Sequence, residues 1–352
     1  MSDDHFKTLF VEVEPWESDF LRSHCREHCD FETVEETVQD LDLEPYRDVT
    51  CLSPFIYSRV DADVLDRLPD LGLVTTRSTG VDHIDMQECG ERGITVCNVP
   101  TYGANTVAEH TFALLLALTR RVHKAYEQTI RGQFSIEGLR GIDLRDRTIG
   151  VVGTGSIGTH VIRIALGFQM RVLAFDVRPV HHMADALGFR YTDFDALLAE
   201  SDIVTLHCPL TDANRHMIDG AALAKMKPGA ILVNTARGGL VDTDALVQAL
   251  RDGRLGGAGL DVLEQEEAIR EEGEMLSRHY DTDTLMTLVQ NTILLRMENV
   301  IVTPHIGFNS EEALEKILTT TIDNLAAFKH GRPQHRVSPP DAAGPGADGG
   351  SA

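Results

Sequence analysis

A chain of 352 residues with 42% hydrophobic content is long for one core and comfortable for two. Acidic residues outnumber basic ones by 55 to 32, and a formal charge of −23 opposes nucleic-acid phosphates and anionic membranes, so neither partner is expected. The longest apolar run, residues 112–118, is far shorter than a bilayer requires, and the sequence opens with Asp3 and Asp4 rather than a basic leader; a cytoplasmic protein is expected.

The first part of the chain carries short apolar, β-branched runs at residues 8–13, 50–53, 72–76 and 94–98, with patterned segments such as 61–68 between them. Strands alternating with helices predict a parallel sheet. Within this part, His24/His28 and Cys25/Cys29 form two i, i+4 pairs that a helix could offer to a metal. No second ligand cluster of suitable spacing follows, so no metal is expected. The six cysteines (Cys25, Cys29, Cys51, Cys89, Cys97, Cys208) are too scattered for a disulfide framework and are expected to be reduced. Six lysines against twenty-six arginines fit either a salty cytosol or a GC-rich genome.

Residues 105–126, apolar at Val107, Phe112, Leu115, Leu116 and Val122, read as one long helix linking two domains. Strand candidates then follow at 148–152, 171–175, 202–206, 231–235, 259–263 and 300–303, a second doubly wound unit. A last helix over 310–328 has a serine N-cap, acids in its first turn and an apolar stripe, and is expected to pack on the first domain. Residues 337–352, poor in apolar surface, read as a disordered tail.

The strand candidate at 148–152 runs into Gly153-Thr154-Gly155-Ser156-Ile157-Gly158 and then into a helical stretch. In such a strand–turn–helix, Gly153 permits the turn, Gly155 lets backbone N–H groups approach a pyrophosphate, and Gly158 brings the helix close to the sheet. Eighteen residues on, the next strand ends in Asp176, a carboxylate suited to both ribose hydroxyls. That acid would repel a 2′-phosphate, so NAD is favoured over NADP, although Arg178 stands nearby. The expected architecture is α/β, with a Rossmann NAD domain (105–305) inserted into a flavodoxin-like substrate domain (1–104 and 306–336).

Three strand ends in the second unit carry chemistry. Arg237 precedes Gly238-Gly239, Glu266 sits among Glu264 and Glu267, and His305 follows Thr303-Pro304. Taken singly, each has a plain structural reading: a surface ion-pair partner, a solvated loop acid, a hydrogen-bonding histidine. Hydride transfer from a secondary alcohol needs a base, a group that orients it and a cation for the carboxylate, and these are the matching side chains.

In order and spacing, Asn234-Thr235-Ala236-Arg237-Gly238, Gly259-Leu260-Asp261-Val262-Leu263-Glu264-Gln265-Glu266 and Thr303-Pro304-His305-Ile306-Gly307 together resemble the D-isomer-specific 2-hydroxyacid dehydrogenase family. The resemblance extends to about residue 333. It implies Arg237 as the substrate-anchoring cation, Glu266 as partner of the base, His305 as general acid/base, and Asp261 near the nicotinamide. It further implies that the 77–85 segment is a substrate loop whose Thr79 and Gly80 amides hold a carboxylate, that Tyr102 faces substrate, and that Cys208, Pro209, Asn214, Thr235 and Ala236 approach the cofactor.

The long 269–299 separation and Phe308, three residues past His305, are similar to the D-lactate branch, so D-lactate and pyruvate are the expected pair. Hydroxypyruvate or glyoxylate reductase and 3-phosphoglycerate dehydrogenase are the alternatives within enzymes. A corepressor that binds the dinucleotide as a signal is the alternative outside them. The family resemblance also implies a homodimer, with the 105–126 helix in the contact.

Overall fold

A computed structural model describes residues 6–25, 29–266 and 282–338. The tail beyond residue 338, His28 of the histidine–cysteine motif, Glu267 and residues 269–281 of the 269–299 insertion lie outside those residues. The chain forms two compact units, one from residues 1–102 and 310–352, the other from 103–309, so the second is inserted into the first.

The first unit is a five-stranded parallel sheet of β1 (Lys7–Phe10), β2 (Asp30–Thr33), β3 (Cys51–Ser53), β4 (Leu73–Thr75) and β5 (Thr95–Cys97), in the order β2-β1-β3-β4-β5. This is the flavodoxin-like order. β2 escaped the sequence reading because Asp-Phe-Glu-Thr at a sheet edge buries no complete apolar face. The last helix, Glu311–Lys329, is capped by Ser310, whose hydroxyl accepts from Ala313 N–H, and buries Leu318, Ile322 and Leu325 with β1 and β3 residues Phe10 and Cys51. It belongs to the first unit, as its apolar stripe predicts.

The second unit holds β6 (Thr148–Val152), β7 (Arg171–Phe175), β8 (Arg190–Tyr191), β9 (Ile203–Leu206), β10 (Ala230–Asn234), β11 (Leu255–Leu260) and β12 (Val300–Val302), ordered β12-β11-β10-β9-β6-β7-β8. Counted from β6, this is the 3-2-1-4-5-6 Rossmann order with one strand added. β6 and β10 are buried at every position, as strands covered on both faces must be.

Two expectations change. The linking helix is broken into Ala104–Thr119 and Val122–Ile130, with Arg121 in the left-handed region at φ 52°. Ile142 N–H donates to Thr119 O and Arg121 Nε to Arg140 O, so the returning 140–142 segment takes up the groups at the break. The strand expected at 259–263 instead spans Leu255–Leu260 and takes in Gly256 and Gly257. Neighbouring backbone leaves no room for a side chain there: a Cβ on Gly256 would lie 2.5 Å from Gly229 O and one on Gly257 2.7 Å from Asn299 O, while Gly259 faces the 104–119 helix, 3.1 Å from Leu114 Cβ. Among the described residues no helix is long and apolar enough to cross a membrane.

Candidate active site

Open α/β sheets bind ligands at the carboxyl ends of their strands, where the strand order reverses. In the second unit that point lies between β6 and β9. The turn after β6 needs glycine twice. Gly153 has φ +93°, and a Cβ there would sit 2.7 Å from the His207 carbonyl carbon, while one on Gly158 would meet Gly153 O at 2.0 Å. A Cβ on Gly155 would meet nothing within 4 Å, so the approach to the residue that caps helix Ser156–Gly167 is open. A pyrophosphate can approach a helix N-terminus left clear in this way.

Asp176 ends β7 beside that turn. Its Oδ2 accepts from Thr154 N–H at 2.6 Å and Thr154 Oγ1 at 2.9 Å, and its Oδ1 from Arg178 N–H at 2.8 Å. Burial pushes this carboxyl up, but the three donors outweigh it and hold the group below the ordinary carboxylate range. A carboxylate has about four acceptor sites, so one remains for a ribose hydroxyl rather than the two that the sequence suggested. These residues fit NAD, with the charge of Asp176 set against a 2′-phosphate.

Past β9, the 208–214 loop closes on itself: Asn214 Nδ2 donates to Pro209 O at 2.8 Å and its Oδ1 accepts from Thr211 N–H at 2.7 Å. Cys208 is half-buried, and burial pushes its thiol up. Thr235, at the end of β10, is buried with its hydroxyl 3.0 Å from that of Thr111, and Ala236 N–H donates to Asn234 Oδ1 at 3.0 Å.

β10, β11 and β12 are neighbours in the sheet, so Arg237, Glu266 and His305 leave it at three adjoining strand ends. His305 Nδ1 lies 2.6 Å from Glu266 Oε1, and Glu266 Oε2 accepts from Leu263 N–H at 3.2 Å. Arg237 is fixed through its backbone, Asn234 Nδ2 donating to its carbonyl at 2.8 Å, and one arm of its fork donates to Ala236 O. The ring of Phe308 meets that of His305 edge-on, with centroids 6.4 Å apart.

His305 adopts φ +55°, an uncommon conformation that its surroundings must enforce. Asp261 does so. Its backbone carbonyl accepts from His305 N–H at 2.8 Å. Its carboxylate, 2% exposed, accepts from Thr303 Oγ1, Ile306 N–H and Gly307 N–H at 2.6, 2.9 and 2.8 Å, with His110 Nε2 at 3.2 Å. Burial pushes the Asp261 carboxyl up, but these donors outweigh it and hold it low. Asp261 therefore holds the loop that bears the histidine.

Glu264, which composition assigns to a solvated loop, is instead 8% exposed. Its carboxylate takes Arg215, His216 Nε2 at 2.8 Å and Thr243 Oγ1 at 3.1 Å, and Asn291 Nδ2 donates to its carbonyl at 2.8 Å. A Cβ on Gly238 would strike the Leu263–Glu264 peptide at 2.2 Å, so only glycine lets the Arg237 turn pack against the turn that bears Glu266. Sequence reasoning missed Glu264, His110, Arg215 and His216. The one local signal was a histidine within the buried stripe of the 104–119 helix.

In the first unit, Arg77 is a structural residue at 1% exposure, donating to the carbonyls of Ser53, Val11 and Glu12. It braces the turn that follows. Thr79 Oγ1 donates to Val99 O at 2.8 Å, Asn98 Nδ2 to Thr79 O at 2.7 Å and Ser78 Oγ to Gly80 O at 2.7 Å. Tyr102 ends the unit's first segment. Among the described residues no cluster of three metal-ligating side chains occurs.

The family described as "D-isomer specific 2-hydroxyacid dehydrogenase, NAD binding domain" matches residues 112–307. The chain is 38% identical to the D-lactate dehydrogenase of Escherichia coli over 273 residues, 76% of this chain and 80% of that one. It is also 38% identical to an aromatic 2-oxoacid reductase of Clostridium sporogenes over 270 residues, 76% and 79% of the two chains. Among solved structures, the D-lactate dehydrogenase of Aquifex aeolicus, complexed with NAD and lactic acid, superposes with a TM-score of 0.82 at 34% identity, covering 92% of this chain and 96% of that one.

Proposed function

This chain belongs to the D-isomer-specific 2-hydroxyacid dehydrogenase family, as an NAD-dependent oxidoreductase of its D-lactate dehydrogenase-like branch, and we propose that it interconverts D-lactate and pyruvate. The observation that carries the proposal is the 2.6 Å contact between His305 and Glu266, at the end of the sheet that also bears the glycine turn and Asp176.

Bound NAD supplies the hydride acceptor for C2 of the hydroxy acid and, reduced, the donor for the oxo acid. The chain's own residues do the rest. With Glu266 accepting from Nδ1–H, His305 is left with Nε2 to take the hydroxyl proton on oxidation and to return it on reduction. The planar fork of Arg237 suits a carboxylate, as do the Thr79 and Gly80 amides, which make no hydrogen bond among the described residues. Phe308, edge-on to the base, limits the space around it, and Tyr102 is the proposed side-chain contact for substrate. Gly153, Gly155, Ser156, Ile157, Gly158, Asp176, Cys208, Pro209, Asn214, Thr235 and Ala236 are the proposed cofactor contacts. Asp261 acts on the base through the loop it holds.

A panel of 2-oxo acids assayed with NADH tests the substrate. Pyruvate is expected to give the highest kcat/KM. A preference for phenylpyruvate would transfer the chain to the chemistry named for its aromatic 2-oxoacid reductase relative, and a preference for hydroxypyruvate, glyoxylate or a phosphorylated acid would overturn the D-lactate reading.

A homodimer fits the same reading. Val122, Tyr126, Ile130, Phe134 (85% exposed), Ile136 (90%) and Ile142 are exposed apolar residues within one stretch of the second unit, more than a lone surface commonly tolerates. Sedimentation should give a dimer for the wild type and a monomer for Phe134→Glu/Ile136→Glu; a monomeric wild type would remove the proposal. All six cysteines are free, which suits a reducing cytoplasm.

A further inference from the structure

Four of the six cysteines lie in one core cluster of the first unit: Cys25, Cys29, Cys51 and Cys97. Two of them touch. Cys25 closes the C-terminus of helix Pro15–His24, Cys29 immediately precedes β2, and Cys29 N–H donates to Cys25 O at 3.3 Å, which stacks the two residues one helical turn apart. Their sulfurs are 3.3 Å apart. A disulfide requires about 2.05 Å, so the bond forms by a closure of little more than an ångström, within the reach of two χ1 rotations.

The pair is not sealed. Cys25 is fully buried, whereas Cys29 is 7% exposed and lines an open cleft of about 470 Å³ with Arg22 and the β2 residues Asp30–Thr33. The two thiols are also unequal. The hydrogen bond from Cys25 holds the Cys29 thiol below its usual value against the effect of burial, and the same contact, together with burial, drives Cys25 up. The other thiols of the core are poor competitors, since burial pushes Cys51 well up and Cys97 to about 11. The more exposed sulfur is thus also the one with more thiolate, the combination that makes a cysteine reactive.

We propose that Cys25 and Cys29 are a peroxide-oxidisable dithiol, with Cys29 the attacking sulfur, reached through the cleft, and Cys25 the resolving one. The Cys29 thiolate attacks one oxygen of hydrogen peroxide, forming an S–O bond as the O–O bond breaks and hydroxide leaves. Cys25 then attacks the sulfenic sulfur: the S–S bond forms, the S–O bond breaks, and the Cys25 proton leaves with that oxygen as water. Two thiols are oxidised to one disulfide, peroxide is reduced to two waters, and a dithiol reductant reverses the change. The bridge would staple the end of the first helix to the start of the edge strand.

The test uses the reduced full-length chain, exposed to hydrogen peroxide, alkylated under denaturing conditions and mapped by mass spectrometry. The Cys25 and Cys29 peptides should resist alkylation and have lost two hydrogens, at least about tenfold faster than Cys51, Cys89 or Cys97 is oxidised. Dithiothreitol should restore both. In Cys25→Ser, Cys29 should accumulate as a sulfenic acid trapped by dimedone; should that variant not fold, the wild-type mapping and its time course decide alone. A Cys29–Cys51 bridge, or oxidation of Cys25 and Cys29 no faster than that of Cys51, Cys89 or Cys97, overturns the proposal.

Discussion

His305 holds its left-handed backbone because Asp261 grips it from both sides, carbonyl to the histidine N–H and carboxylate to the two amides that follow. The imidazole is thereby delivered to Glu266 at 2.6 Å. If His305 is the acid and base, His305→Ala should lower kcat for pyruvate reduction by about 10² to 10⁴ while NADH binding, read by fluorescence, stays near wild type. Glu266→Gln keeps the shape and removes the charge, and should cost roughly 10 to 100-fold in kcat. Near-normal turnover in His305→Ala would remove the base from the mechanism.

Asp261→Asn should act through that grip. It cannot accept at both oxygens, so the loop relaxes and kcat falls, while the buried carboxylate's contribution to stability is also lost. Because the folded state holds this carboxyl low, that contribution is present above the ordinary carboxylate pKa and disappears as pH falls through the lower folded value. The wild type should therefore lose more stability than Asp261→Asn on acidification below about pH 4. Parallel acid denaturation curves would contradict this account.

Glu266 has a comparable support in Glu264, two residues earlier. Glu264→Ala leaves His216 and Thr243 without their acceptor and frees the turn that packs on Gly238. A loss of about 1 to 3 kcal/mol in urea unfolding is expected, with kcat reduced more than KM. Unchanged kcat would mean that the turn keeps its place without this anchor.

Strand–turn–helix chemistry was legible in the chain because it is local. The spacing of Gly153, Gly155 and Gly158 within one short turn is readable without partners, and β6 and β7 fall at the expected residues because each is a short, mostly apolar run. What the sequence hid depends on partners far away in the chain. Glu264 looks like its neighbours until Arg215, His216 and Thr243 close around it, and β2 is too polar to be a strand except beside β1. Gly256 and Gly257 fall outside the expected strand because the backbone that makes them necessary, at Gly229 and Asn299, lies elsewhere in the chain.

Asp176 joins two tasks in the proposed site, since the carboxylate assigned to a ribose also ties down Thr154 in the glycine turn. Asp176→Asn should raise KM for NADH by about 10 to 100-fold, the worth of one hydrogen bond to a charge, and should narrow the preference for NADH over NADPH as repulsion of the 2′-phosphate disappears. An unchanged ratio of the two cofactors would show that discrimination lies elsewhere, with Arg178 the next residue to vary.

His207 follows β9 at the strand-order reversal, its Nε2 2.8 Å from Thr205 Oγ1 and its Nδ1 buried without a hydrogen-bond partner among the described residues. Burial pushes its pKa down to about 3, so folding keeps the ring neutral where an unfolded histidine would be protonated. Between pH about 6.5 and 3 the unfolded chain then binds one more proton, and stability rises with pH by at most about 1.4 kcal/mol per unit. It is complete above the unfolded value and drains away as pH falls. The carboxylates held low, at Asp176, Asp202 and Asp261, act only below the ordinary carboxylate range, whereas Glu17, which burial pushes up, acts above it in the opposite sense, so a His207 variant is needed to isolate the histidine's share. Between about pH 7.5 and about pH 5, urea unfolding should show a stability difference about 2 kcal/mol larger in the wild type than in His207→Phe, which keeps a ring and cannot titrate. If the variant shows the same difference, protonation of His207 is not what weakens the fold in mild acid.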